Sequence, residues 1–188
     1  MSLQSWQETL VTAQVDGPIL NTSIVATSII PTHAKIILPS NFWQIGKTLR
    51  IRGMARVSNI VTTPGTLTLD VRIAGIIAFN GGAMQLSTTA HTSLPLIFEY
   101  LLTCRAIGSG TSANLIGAGQ VNSQTVSLTS VADSATSPAG LLTPNVTPVV
   151  GAGFDSTVAN TLDLFATFSI SNAGNGITLH QYVVESMN

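Results

Sequence analysis

The sequence predicts an all-β fold, an antiparallel β-sandwich of the jelly-roll kind. Three observations carry that expectation. Apolar residues recur at every second position in several segments, breaks containing Gly, Pro or Asn separate those segments, and no stretch keeps a helical period over a useful length. The nearest approach to a helix is a turn expected over 40–45, after Pro39.

The clearest strand is Thr48–Asn59, where Leu49, Ile51, Gly53, Ala55 and Val57 alternate with Arg50, Arg52, Met54 and Arg56. In Thr66–Ile73, Leu67, Leu69, Val71 and Ile73 alternate with Thr68, Asp70 and Arg72. Over 94–106, Leu96, Phe98, Tyr100, Leu102 and Cys104 share one face, with Glu99, Thr103 and Arg105 on the other. Over 160–171, Leu162, Leu164, Ala166, Phe168 and Ile170 face one way and Asp163, Thr167 and Ser169 the other. The last strand, 177–185, sets Ile177, Leu179 and Val183 against Thr178, His180 and Tyr182. Weaker alternation marks 9–15, 23–30, 34–38, 76–79, 115–121 and 125–131. Pro64-Gly65 and Asn172–Gly176 are expected to close hairpins, and Asn80-Gly81-Gly82 and Gly108-Ser109-Gly110 to end strands.

A length of 188 residues suits one domain. An N-terminal arm is expected over 1–20, because Asp16-Gly17-Pro18 interrupts the strand signal, and a single sandwich domain over 21–188. Residues 132–158 hold Pro138, Pro144, Pro148, Gly140, Gly151 and Gly153. They read as a long loop that either reaches a neighbour or lies on the surface.

Charge is scarce. Seven Lys and Arg and eight Asp and Glu make 8% of the chain, against about 25% in ordinary soluble domains. Ser and Thr, 19 and 24 of them, take the place of charge. A surface this weakly charged is poorly protected against association, so much of it is expected to be covered in use. The net charge of −1 gives no basic excess for nucleic acid. No apolar run approaches the ~18 residues of a membrane-spanning helix, and two Trp and two Tyr are too few for the aromatic girdles of a membrane barrel. The start, Met1-Ser2-Leu3-Gln4-Ser5-Trp6, lacks a basic region and an apolar core, so no signal peptide is expected. Asn21-Thr22-Ser23 and Asn145-Val146-Thr147 are therefore expected to be chance matches to the glycosylation sequon.

No catalytic or metal-binding constellation stands out, and no enzyme activity or cofactor is expected. His33, His91 and His180 have no metal-ligand spacing to one another, to Cys104 or to a carboxylate. The carboxylates occur singly. Asp70, Glu99 and Asp163 share polar strand faces with Arg50, Arg52, Arg72 and Arg105, where cross-strand ion pairs are expected. Gly117-Ala118-Gly119 and Gly151-Ala152-Gly153 lack the strand–loop–helix context of a phosphate site. Phe42-Trp43 reads as a core anchor at a strand entry, and Cys104 as a buried, inert thiol. Lys47, Arg50, Arg52 and Arg56 form the one basic cluster, a stripe on alternating positions. It is a patch that docks on an acidic partner, a solvated strand face with local ion pairs or, third, a contact for backbone phosphate.

The stretch Leu38-Pro39-Ser40-Asn41-Phe42-Trp43-Gln44-Ile45-Gly46-Lys47-Thr48-Leu49-Arg50-Ile51-Arg52-Gly53 resembles a family of tailed-phage virion proteins. The likeness continues through Thr63-Pro64-Gly65-Thr66-Leu67-Thr68-Leu69-Asp70-Val71-Arg72, Gly151-Ala152-Gly153-Phe154-Asp155-Ser156 and Leu179-His180-Gln181-Tyr182, and so spans nearly the whole chain. The resemblance implies a jelly-roll capsid decoration (cement) protein. Such a protein is made in the host cytoplasm and sits as a homotrimer on the major capsid protein at the capsid surface. The family supplies no catalytic residues. Tail or head-fibre components with a host-glycan site are a second expectation, and a hydrolase on a sandwich scaffold a third.

Overall fold

Thirteen strands occur among residues 7–127, 139–144 and 146–187, which the computed structural model of the chain describes. They are β1 (Glu8–Thr12), β2 (Leu20–Asn21), β3 (Thr27–Ser28), β4 (Ile37–Leu38), β5 (Thr48–Asn59), β6 (Thr66–Ile73), β7 (Ile76–Leu86), β8 (His91–Ala106), β9 (Asn114–Ser123), β10 (Val126–Ser127), β11 (Ala139–Thr143), β12 (Asn160–Phe168) and β13 (Gly176–Ser186). Seven form one sheet in the order β1-β13-β5-β8-β9-β11, with β2 also on β13. Six form the other, β10-β7-β6-β12-β3, with β4 also on β12.

The expected antiparallel sandwich is therefore the fold. Its pairings β5 with β13, β6 with β12, β7 with β10 and β8 with β9 nest one inside the next, like a long hairpin folded over on itself. The β6–β7 turn keeps both strands in one sheet. Ala74 and Gly75 take φ of 50° and 82°, the left-handed pair that a two-residue hairpin needs.

The alternating residues line the interior. Leu49, Ile51, Ala55 and Val57 from β5 face Leu67, Leu69, Val71 and Ile73 from β6 across the two sheets, with Leu96–Cys104 alternates and Leu162–Phe168 alternates completing the layer. Gly53 lacks a side chain because Phe98 lies over it; a Cβ there would come 2.4 Å from the Phe98 ring. Phe98 in turn stacks on Tyr100, and Phe79 packs against Tyr100 at a tilt of 54°, with centroids 5.2 and 5.1 Å apart. Trp43 is buried edge-on between Phe42 and Phe154, and Cys104 is buried, as expected of both.

Several sequence expectations need correction. Pro64-Gly65 and Asn172–Gly176 do not close hairpins, since β5 and β13 lie in one sheet and β6 and β12 in the other. Both turns are arches between the layers. Turn residues report that a chain reverses, not whether its two arms pair. Two buried asparagines hold these arches. The Asn59 amide donates to the carbonyls of Ser87 and Thr89, and the Asn175 amide donates to Pro64 O while its Oδ1 accepts the Ile60 N–H.

Asn80-Gly81-Gly82 does not end a strand. β7 runs through it on a bulge, with Asn80 opposite Asp70 and Ala83 opposite Thr68. The turn expected over 40–45 is present, reversing the chain at Asn41 (φ 59°) and Gly46 (φ 88°), and the short 3₁₀ helix is at Thr32–Ala34. In β13 a bulge between Leu179 and Gln181 reverses the phase, so Tyr182 and Val184 are buried rather than Val183.

Residues 1–6 lie outside the described residues. From Gln7 on, the stretch expected as an arm follows the edge of the seven-stranded sheet. β1 pairs with β13, the N–H groups of Ala13 and Gly17 donate to Tyr182 O and Leu179 O, and Asp16 lies 2.9 Å from Nδ1 of His180.

The region expected as a loop over 132–158 falls partly on residues 132–138 and 145, outside the described residues. The rest is framework. β11 pairs with β9, and Val150 and Phe154 bridge to Ile116 and Ala113. Gly151 N–H donates to Leu115 O in one sheet and Ala152 N–H to Ile77 O in the other, so this segment stitches the two layers together. Glycine is required for that approach. A Cβ on Gly151 would sit 1.9 Å from Ala78 O, and one on Gly153 would sit 2.0 Å from Thr111 O.

Gly151→Ala is therefore expected to cost about 2 kcal/mol or more, a fall in Tm of about 4–8 °C. Gly110→Ala, where a Cβ meets open space at φ 65°, should cost only about 1 kcal/mol. Thermal unfolding compares them, and equal effects would contradict the stitch.

Candidate functional site

The outer face of the seven-stranded sheet is a grid of side chains set by register. One rung runs Thr12, Val183, Arg52, Glu99, Gln120 across β1, β13, β5, β8 and β9. The next runs Gln181, Met54, Ile97, Asn122. On the opposite side of the first rung lie Glu185, Arg50, Leu101 and Ala118. All these positions point away from the core because strand side chains alternate.

The basic stripe lies on this face, where it meets two carboxylates. Arg52 Nη2 lies 3.1 Å from both oxygens of Glu185. Arg50 lies 3.6 Å from Glu185 and 3.8 Å from Glu99. Two guanidinium groups are thus matched by two carboxylates. Arg56 donates to the carbonyl of Ser93, and Lys47, in the turn before β5, sits 3.8 Å from the centre of the Phe42 ring. Lys47 and Arg56 are nine residues apart along an extended chain, about 30 Å at ~3.3 Å per residue. That is several times the ~8 Å screening length at physiological salt, so their fields do not add.

Several other ionic groups are engaged within the chain, while Arg105 and Glu8 are exposed on its surface. Lys35 contacts Asp163 at 2.8 Å, and Arg72 contacts Asp70 at 2.6 Å while covering the Phe165 ring. The Thr157 hydroxyl, with the N–H groups of Gly110 and Thr157, holds the Asp155 carboxyl below its usual range. Burial pushes the Cys104 thiol up, away from reactivity at neutral pH. His33 accepts the Gln14 N–H, and His180 faces Asp16. Among the described residues no three His, Cys, Asp or Glu side chains gather where one ion would reach them.

Two of the depressions formed by the described residues bear on function. One, of about 560 Å³, crosses the rungs just described and is lined by Arg52, Met54, Ile97, Glu99, Gln120, Asn122 and Gln181. The second, of about 580 Å³, lies between β7 and residues 146–152 and is lined by Ile77, Phe79, Pro144, Val146, Val149 and Val150. Val146 and Val149 are 63% and 69% exposed at its rim, and nearby Leu142 on β11 is 76% exposed.

Sequence reasoning missed both. Gln120 and Asn122 stand at alternate positions of β9, a signal open to reading but given no weight. Gln181 was hidden, since uninterrupted alternation puts it inside and only the β13 bulge turns it out.

The ion-pair network gives a direct test. Glu185→Gln leaves Arg50 and Arg52 without their shared carboxylate and should destabilise the chain by about 1–2 kcal/mol. That is less than the ~3–5 kcal/mol of a fully buried pair, because Arg52 is 44% exposed. Denaturant unfolding measures it; an unchanged midpoint would mean the network holds nothing.

No protein-family model matches the chain, and no curated protein matches it. Among solved structures it is similar to the CBM2 module of the evolved Dit of Lactobacillus casei BL23 phage J-1, at 9% identity over 99% of this chain and 98% of that one, with a TM-score of 0.38. It is also similar to winged bean acidic lectin complexed with methyl-alpha-D-galactose, at 12% identity over 98% of each chain, with a TM-score of 0.27. At these TM-scores neither likeness attaches a role to this chain.

Proposed function

We propose that the protein is a non-catalytic structural part of a tailed-phage virion that binds the outside of the capsid as a decoration protein and stabilises the shell. The observation that carries this reading is the character of the surface. Ionic groups are scarce and four of the seven Lys and Arg pair with carboxylates, while sixteen large aliphatic side chains are exposed among the described residues. Single exposed aliphatics are ordinary. Here Ile77, Val146, Val149 and Val150 gather at one depression, as at a surface that a neighbour covers. The sequence resemblance to tailed-phage virion proteins supplies the setting.

In this reading the protein is a homotrimer on the major capsid protein, and the aliphatic rim seats on a neighbour. A partner that binds only the assembled shell stabilises it by mass action, because dissociation must first release the partner.

Quantitative mass spectrometry of purified particles tests the reading. The protein's copy number should follow that of the major capsid protein, and Val149→Asp should leave the domain folded but lower occupancy by about tenfold or more, since an unpaired charge would be buried at the contact. A copy number following the tail proteins would contradict it, as would full occupancy by the Val149→Asp chain.

A further inference from the structure

We infer that the groove across the outer face of the seven-stranded sheet binds a neutral oligosaccharide, through the side-chain amides of Gln120, Asn122 and Gln181. This goes beyond a role in the shell and does not depend on where in a particle the protein sits.

The three amides are exposed, and among the described residues none has an intrachain hydrogen-bond partner. Each offers two donors and an acceptor in one plane. Vicinal hydroxyls of a sugar also donate and accept side by side, so each amide can serve a pair of them. Gln120 and Asn122 are alternate residues of β9, about 7 Å apart. Gln181 is three strands away on β13, about 14 Å at the usual strand spacing. The polar groups therefore span more than one pyranose ring.

Charge decides between ligand classes. Arg52 is held on Glu185, and Glu99 lies against Arg50, so the groove presents no unmatched charge to an ionic ligand. Ile97, 55% exposed, forms an apolar step between Asn122 and Gln181 on which the C–H face of a ring would lie. An extended peptide finds no purchase, because the backbone groups of β5 and β8 on this floor are already paired on both sides.

The test uses the full chain and follows the side-chain NH₂ resonances of the three amides by NMR. The probes are cellotriose, maltotriose, chitotriose and a galactose trisaccharide, with a hexuronate trimer as the charged comparison. At least one neutral trisaccharide should shift all three amides saturably. The double variant Gln120→Ala, Asn122→Ala, folded by circular dichroism, should lose about tenfold or more in affinity for it, as expected for the loss of one to two hydrogen bonds. The inference is overturned if no neutral probe shifts these amides at millimolar concentration, if the hexuronate binds more tightly, or if the double variant binds unchanged. Amide shifts that follow protein concentration alone, without sugar, would make the face a contact between copies and overturn it equally.

Discussion

Register along β5 is the constraint from which the rest of the structure follows. This strand pairs with β13 on one side and β8 on the other, and every second residue enters the core. A slip of one residue would turn Arg50, Arg52 and Arg56 inward and Leu49, Ile51 and Val57 outward. Burying each unpaired guanidinium would cost several kcal/mol, more than any single contact on the outer face returns. The same register places Glu185 and Glu99 beside the two arginines, so core packing and surface ion pairing enforce one alignment.

Neutrality of the surface is the next consequence. In a chain with few ionic groups, pairing Arg50 and Arg52 with Glu185, Arg72 with Asp70 and Lys35 with Asp163 neutralises four of the seven basic side chains. What faces outward is largely amide, hydroxyl and aliphatic. Amides gather on the face of the seven-stranded sheet and aliphatics beside the segment that stitches the two layers. These are two chemically distinct surfaces on one scaffold, one suited to hydroxylated ligands and one to a dry protein contact.

Much of the fold was legible in the sequence because a half-buried strand writes its burial in every second letter. The alternation in β5, β6, β8 and β12 is matched residue by residue in the core. What alternation cannot encode is where a strand bulges and which strands pair. The bulges at Gly81-Gly82 and at His180 look like a turn and like nothing at all, respectively. The arches at Pro64 and Asn175 use the same residues as hairpins. The basic stripe was visible as four residues, but its neutralisation was not, because Glu185 lies 133 positions from Arg52 and is brought beside it only by β13 joining β5. The amide-lined groove depends on that same pairing and on the bulge that turns Gln181 outward.

Neither the amide groove nor the aliphatic rim presents an unpaired charge, so both proposed contacts rest on neutral surface. The dependence of particle binding on ionic strength tests this most directly. Binding measured from low salt to about 0.5 M, where the screening length falls to a few ångströms, should be unchanged or slightly stronger. A steep loss of affinity with salt would contradict the account and would make Lys47, Arg50, Arg52 and Arg56 a docking patch for an acidic partner.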